Sequence, residues 1–212
     1  MVVNKKTFIL KKLIIPLLLA IYLLSTSSSC KKTPVTEFNK EFPNTIGTWW
    51  KYKVYDSINS QLDTITITIV GSAKLSNGET ATIWQIKSLF NIVDTNYVYS
   101  GNNIVIDYHY KDASTLLKKY IFPLNIGSNW VNLNYADTSK VTLKNAINVI
   151  AGNFTESYLI KRDYKSFPGY NVFKEDEFFV PNVGVVKKSI FVITLGTLIN
   201  QNWELVSYLK RQ

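Results

Sequence analysis

Few side chains in this sequence could do chemistry. Cys30 is the sole cysteine and His109 the sole histidine. A lone thiol can serve as a nucleophile or as the acceptor of a lipid group, but it cannot form an intrachain disulfide. A lone histidine excludes a multi-histidine zinc site and leaves only mixed-ligand sites. Asp107 and His109 are two residues apart, so on an extended strand they share a face, with Asp112 just beyond. Together they could form an Asp-His pair or a weak metal-ligand group. The simpler reading makes Asp107 and His109 the wet face of a hairpin whose Tyr108 and Tyr110 turn inward. Glu175-Asp176-Glu177 lacks the alternating spacing of a calcium loop and reads as a solvated turn and strand start. No Gly-x-Ser-x-Gly elbow, glycine-rich phosphate loop or His-Glu-x-x-His helix occurs. No catalytic residue, metal ligand or cofactor site is assigned, and a non-enzymatic role is expected.

The context of Cys30 is more specific. Lys5, Lys6, Lys11 and Lys12 precede an apolar run from Leu13 to Leu24, and small residues follow from Ser25 to Ser29. The run is short of the roughly 20 residues of a membrane-spanning helix and suits the apolar core of a secretory signal. Ser27-Ser28-Ser29-Cys30 resembles the lipobox of bacterial lipoproteins, although Ser27 stands where that box usually has an aliphatic residue. The resemblance implies cleavage before Cys30, a lipid on its sulfur and a fatty acyl group such as palmitate on its new amine. The expected organisation is a signal peptide over 1–29, a lipidated tether over 30–40 and one β-rich domain over 41–212. Several acyl chains anchor a protein stably where one does not, so the chain is expected to stay on a membrane. Lys31 follows the cysteine in place of a retention aspartate, and no acidic cluster follows it. The resemblance therefore points to the outer membrane, with the periplasmic face favoured over the cell surface.

Loss of the signal also changes the charge. The full chain has 24 Lys and Arg against 15 Asp and Glu, and removing four lysines leaves 20 against 15, a net +5. Those basic residues are scattered, so no nucleic-acid partner is expected.

The remaining 183 residues suffice for one domain with a real core. Their periodicity is two. Ile65, Ile67 and Ile69 alternate with Thr64, Thr66 and Thr68, while Trp50, Tyr52 and Val54 alternate with Lys51 and Lys53. Similar runs follow at 80–88, 96–100, 104–111, 116–122, 154–162, 177–180, 185–194 and 203–209. Gly101-Asn102, Ala151-Gly152-Asn153, Pro181-Asn182 and Asn200-Gln201-Asn202 read as turns between them. The stretch 139–149 fits a strand or one short helix. Thirteen tyrosines, eleven phenylalanines and five tryptophans favour strands over helices. The fold class expected is all-β with minor helix: a single antiparallel, strongly curved sheet or half-barrel, with a β-sandwich as the alternative.

One pattern recurs. Phe42-Pro43-Asn44-Thr45-Ile46-Gly47-Thr48-Trp49-Trp50 returns as Phe122-Pro123-Leu124-Asn125-Ile126-Gly127-Ser128-Asn129-Trp130, and Val180-Pro181-Asn182-Val183-Gly184 is a shortened version. Proline fixes φ and glycine permits a backbone value other residues avoid, so each copy suits a corner leading into a strand. The sequences after the copies do not match, which favours a recurrent corner over a duplicated half.

With these corners, Ala151-Gly152-Asn153-Phe154, Phe178-Phe179-Val180-Pro181-Asn182-Val183-Gly184-Val185-Val186-Lys187 and Leu205-Val206-Ser207-Tyr208, the chain resembles small uncharacterised envelope lipoproteins. Their order of motifs is similar to that of the open half-barrel group of the periplasmic lipoprotein carriers LolA and LolB. The resemblance implies a curved sheet around an apolar concavity, and it brings no catalytic residues. Trp50, Tyr52, Ile65, Ile67, Ile69, Trp84 and Trp130 are then the candidate lining of a pocket for a hydrophobic or lipid-like ligand. The alternative is a structural module at the outer membrane that docks an envelope protein partner and has no ligand pocket.

Overall fold

The computed structural model describes residues 41–89, 93–133, 137–165, 172–194 and 196–211. Cys30, the expected signal over 1–29 and the expected tether over 30–40 lie outside the described residues. The described chain forms one antiparallel sheet of twelve strands. They are β1 (Trp49–Asp56), β2 (Gln61–Lys74), β3 (Thr80–Lys87), β4 (Val93–Ser100), β5 (Ile104–Tyr108) and β6 (Leu116–Ile121). The second half holds β7 (Asn129–Val131), β8 (Asp137–Val149), β9 (Gly152–Lys165), β10 (Val172–Val180), β11 (Gly184–Thr194) and β12 (Thr197–Leu209). Among the described residues the expected curved antiparallel sheet is what forms, with no β-sandwich and without the minor helix that was expected.

Neighbours in sequence pair along two meanders, β1 to β6 and β7 to β12, and β1 joins β12 edge to edge. Only β6 and β7 lack a ladder, so the sheet curls into a barrel with one seam. Side chains bridge that seam. The Trp130 indole donates to the Lys119 carbonyl at 2.7 Å, and the Lys119 N–H donates to Asn132 Oδ1 at 3.2 Å. A buried edge needs such partners, because each unpaired peptide group costs about 1–3 kcal/mol.

Alternation along each strand decides which side chains face the interior. Trp50, Tyr52 and Val54 are buried while Lys51 and Lys53 are exposed. In register, Trp50 sits opposite Ile67 and Tyr52 opposite Ile65 on β2. An aromatic layer closes the end of the barrel from which the chain enters β1. Phe42 lies at its centre, stacked on Trp84 at 5.7 Å and on Phe179 at 6.1 Å, and packed against Tyr120 and Phe122. Rings that meet this way add about 0.5–1.5 kcal/mol per pair beyond their buried area.

Both copies of the repeated corner take one geometry. Gly47 (φ +88°) donates to the Ile69 carbonyl and Ile69 donates back to Thr48. Gly127 (φ +89°) donates to Val141 and Val141 donates back to Ser128. Each corner thus ties the entry of a six-stranded meander to that meander's second strand. The sequence reading preferred a recurrent turn to a duplicated half. The topology gives the two copies equivalent places, which fits a duplicated meander equally well.

Of the two alternatives for 139–149, the strand is the one that forms, within β8. Two expectations change. The short strand β7 was read only as the end of a corner. Asn200-Gln201-Asn202 is no turn but the interior of β12, whose Asn202 pairs with both Tyr55 and Ser189.

Candidate functional site

The interior of the barrel holds a cavity of about 540 Å³. Its floor is the aromatic layer, through Phe42, Trp50 and Trp84, and Ile67, Ile86, Ile190 and Trp203 form apolar wall above it. A second recess of about 360 Å³ shares Leu133, Arg162 and Phe173 with the first.

Of the seven residues read from the sequence as candidate lining, Trp50, Tyr52, Ile67 and Trp84 line the cavity. Ile65 packs beside it in the apolar cluster of Trp50 and Tyr52, and Ile69 is wholly buried in that cluster. Trp130 is buried at the seam, packed with Phe122 and Val141. Two of the lining residues are fixed by their polar ends: the Trp50 indole donates to the Val183 carbonyl at 2.6 Å, and the Tyr52 hydroxyl to the Val185 carbonyl at 2.8 Å.

The sequence reading missed a layer of charge across the middle of the cavity. Lys118, Asp107, Glu175, Glu177, Lys188 and Arg162 all line it. The ladders bring them together: Lys118 is opposite Asp107, Glu177 opposite Lys188, and Glu175 opposite Arg162. Glu175 and Glu177, read as a solvated turn and strand start, are 4 % and 3 % exposed. Only Asp176 between them faces outward, pairing with Lys161 at 3.3 Å. Strand β10 begins at Val172, so these residues lie mid-strand, in phase with Phe173.

Lys118 reaches across the barrel and places Nζ 2.5 Å from both Glu175 Oε2 and Glu177 Oε1. The Tyr120 hydroxyl donates to the other Glu177 oxygen at 2.8 Å. Burial pushes both glutamates toward the neutral form. At Glu177 the Lys118 ammonium, Lys188 and the Tyr120 hydroxyl outweigh burial and hold the carboxyl below its usual range. At Glu175 burial and the Glu177 charge prevail, and its affinity for a proton is raised. Arg162 grips Asp137 through two hydrogen bonds, Nε to Oδ1 at 2.8 Å and Nη2 to Oδ2 at 2.7 Å. Asn132, which bridges the seam, also donates to Asp137 Oδ1 at 3.0 Å.

Two charged groups stay outside these pairings. Lys188 has no carboxylate within 4.0 Å among the described residues, and its Nζ lies 4.0 Å above the Trp203 ring. Burial lowers its basicity despite the neighbouring glutamates. Asp107 accepts one hydrogen bond, from Asn96 Nδ2 to Oδ2 at 3.1 Å, while its Oδ1 and Asn96 Oδ1 have no donor among the described residues. Burial pushes the Asp107 carboxyl up to about 7 against the pull of Lys118. The surface that Asp107 and Lys188 keep faces the cavity.

Asp107 was expected beside His109 on a wet hairpin face with Tyr108 and Tyr110 inward, and the structure reverses this. A bulge between Asp107 and Tyr108 ends the shared face. Asp107 points into the barrel. Tyr108 packs outside with Leu75 and Ala81, and Tyr110 is exposed. His109 Nδ1 lies 4.0 Å from Asp94, and Asp112 accepts from the Ser114 N–H in its own turn. The Asp-His-Asp group is therefore not assembled. Among the described residues, no group of three or more His, Cys, Asp or Glu is placed to hold a metal ion.

No protein-family model matches the chain, and no curated protein matches it. Two solved structures are similar to it. One is a candidate lipoprotein from Parabacteroides distasonis ATCC 8503, with 14 % identity and a TM-score of 0.48, covering 82 % of this chain and 100 % of the other. The second is a candidate exported protein with a YmcC-like fold from Bacteroides fragilis NCTC 9343. It has 10 % identity and a TM-score of 0.44, covering 81 % of this chain and 100 % of the other.

Proposed function

We propose that the chain is a lipid-anchored protein of the cell envelope whose barrel binds an amphipathic, lipid-like ligand. The observation that carries the binding role is the interior itself: a cavity of about 540 Å³ with an apolar floor and wall and a polar band at mid-height. That volume lies within the range of about 300–1,000 Å³ usual for small-ligand pockets. A barrel filled for stability alone would close that space with side chains, as small barrels do. The anchor rests on Cys30 and the signal-like segment before it, the outer membrane on Lys31 in place of a retention aspartate, and the periplasmic face on the lack of an acidic cluster after the cysteine.

Two experiments test this. The full-length protein, extracted from membranes and examined by native mass spectrometry, should carry a co-purified lipid-sized mass and should take up a fluorescent fatty-acid analogue. Absence of both would remove the binding role. Cys30→Ser should move the protein out of the membrane fraction, and retention as tight as that of the parent would remove the anchor.

One observation favours a second reading, docking to an envelope protein. At the barrel end remote from the aromatic floor, Ile58, Leu89 and Leu133 in three connections and Leu62 and Leu198 near the adjoining strand starts are all exposed. Pull-down with the anchored protein should recover a stoichiometric partner if this rim is an interface.

A further inference from the structure

We infer that the cavity takes a single-chain amphiphile with one anionic head, of the fatty-acid class, whose carboxylate sits on the Lys188 ammonium. The inference rests on the binding role proposed above and assigns the head group and the residue that receives it.

Three cations stand in the charged layer, and two of them are engaged within the barrel. Lys118 lies between Glu175 and Glu177, and Arg162 is held by Asp137. Lys188 is the third. It is on β11 in phase with buried Val186 and with Ile190, and Lys188 and Ile190 both line the cavity. No carboxylate of a described residue comes within 4.0 Å of its Nζ. Nζ lies 4.0 Å over the Trp203 ring, a contact that attracts the charge but gives its N–H groups no oxygen acceptor. Asn96 Oδ1 and Asp107 Oδ1 are enclosed, whereas Lys188 Nζ is not, so a ligand in the cavity can reach it. A ligand that fills the cavity displaces water from this ammonium and must offer an acceptor in its place, because a buried charge without a partner is penalised.

The surroundings select the head. An alcohol or ester supplies an acceptor without charge, and hydrogen bonds between an ammonium and a carboxylate are about twice as strong as neutral ones. A cationic head would join Lys118, Arg162 and Lys188 in one interior. A phosphate dianion would bring two charges to one free cation, with Glu177 opposite Lys188 in the ladder. One carboxylate matches one ammonium. The fold has already taken Lys188 out of water, so binding adds the desolvation of the ligand's charge alone. The acids nearby tolerate that charge, since Asp107 and Glu175 both hold a proton more tightly than an ordinary carboxyl does. For the tail, Trp203 and Ile190 flank Lys188, and Trp50, Trp84 and Phe42 continue the apolar lining toward the floor.

Full-length protein carrying Cys30→Ser is titrated at pH 7 with laurate, methyl laurate and dodecyltrimethylammonium, each below its micellar concentration. Binding is read by calorimetry and by tryptophan emission, since Trp203 lies under Lys188. Laurate is expected to bind at least about tenfold more tightly than methyl laurate, the discrimination that one buried charge-assisted hydrogen bond supplies, and the cationic probe least tightly. In Lys188→Met, laurate should lose at least about tenfold while methyl laurate changes by about threefold or less. Methyl laurate binding as tightly as laurate, or a preference for the cationic probe, would overturn the head-group assignment and leave the binding role standing. Binding of none would overturn both. An undiminished preference for laurate in Lys188→Met would overturn the assignment to that lysine. If the variant does not fold, carbon-13 NMR of carboxyl-labelled laurate on the unaltered interior decides the matter. The bound carboxyl should titrate below free laurate, because an adjacent ammonium keeps it ionised, and a midpoint at or above the free value would overturn the contact.

Discussion

Asp107→Asn should stabilise the protein at alkaline pH and do so much less at acid pH. In the barrel, burial holds the Asp107 carboxyl at about 7 against an ordinary value of 3.8. A carboxyl raised in the folded state loses its proton more easily when the chain unfolds. Folding stability therefore falls as pH rises from about 4 to about 7 and is level above. About three pH units of difference correspond to a ceiling of about 4 kcal/mol over the whole window, and to about 2–3 kcal/mol between pH 5 and pH 8. Water in the cavity screens part of this, so about 2 kcal/mol is the figure to test. Asparagine keeps the shape and can accept from Asn96, but it never ionises. Urea unfolding of the full-length chain with Cys30→Ser, with and without Asp107→Asn, gives the difference at each pH. Every other titrating group is common to the two proteins and cancels to first order. The gain from Asp107→Asn should rise by about 2 kcal/mol from pH 5 to pH 8. A gain that is the same at both pH values within about 0.5 kcal/mol would mean that Asp107 titrates normally and is not enclosed as described.

Other perturbations test the supports of the site. Asp137→Ala leaves the Arg162 guanidinium enclosed with Glu175 no nearer than 3.9 Å, and removing one partner of a buried pair costs about 3–5 kcal/mol. Thermal unfolding should show it, and Asp137→Leu with Arg162→Met should recover much of the loss; no recovery would show that the pair is more than a matched set of buried charges. Asn132→Ala removes the acceptor of the Lys119 N–H at the seam, so that amide should exchange with solvent much faster while the amides of β1, paired on both sides, keep their protection. Equal protection before and after would mean the seam is closed by something other than this side chain. Gly47→Ala should destabilise more than Gly127→Ala. Both need positive φ, worth about 1 kcal/mol, but a Cβ at Gly47 would also lie 3.3 Å from Arg211, whereas one at Gly127 meets nothing within 4 Å.

The sheet was legible because its evidence is local. Ile65, Ile67 and Ile69 set against Thr64, Thr66 and Thr68 can be read from six consecutive residues, and the Phe-Pro corner announces itself by repeating. The charged layer was not legible by the same rule, since acidic and basic residues on a strand ordinarily mark its wet face. A finer signal was present. Glu175 and Glu177 are in phase with Phe173 and Phe179, Lys118 with Tyr120 and Phe122, and Lys188 with Val186 and Ile190, so each lies on a face otherwise built for the interior. Asp107 and His109 failed for another reason. Two residues apart means one face only while the ladder is regular, and the bulge after Asp107 breaks that condition. Trp130, read as candidate pocket lining, is buried at the seam instead, and nothing in its sequence neighbourhood says that the sheet ends there or that its indole must stand in for a missing strand partner.

That charged layer bears on what the barrel is for. Seven acidic and basic side chains sit in the interior of this one sheet, and replacing buried ion pairs by apolar groups of similar size is often neutral or stabilising. Stability alone would not favour keeping them. Nor do they form a closed set: the Lys118 and Arg162 networks are matched, while Lys188 has no carboxylate within 4.0 Å among the described residues and lies over the Trp203 ring, and Asn96 Oδ1 and Asp107 Oδ1 are buried without a donor among the described residues. A matched network can fix the shape of the barrel across a seam that lacks a ladder, since Lys118 stands on β6 and Asp137 and Arg162 on β8 and β9 beyond the gap. The unmatched groups do no such work. Lys188 lies in the lining of the apolar cavity with its Nζ 4.0 Å over the Trp203 ring, and the binding role proposed for the barrel gives an ammonium there a place that stability alone does not.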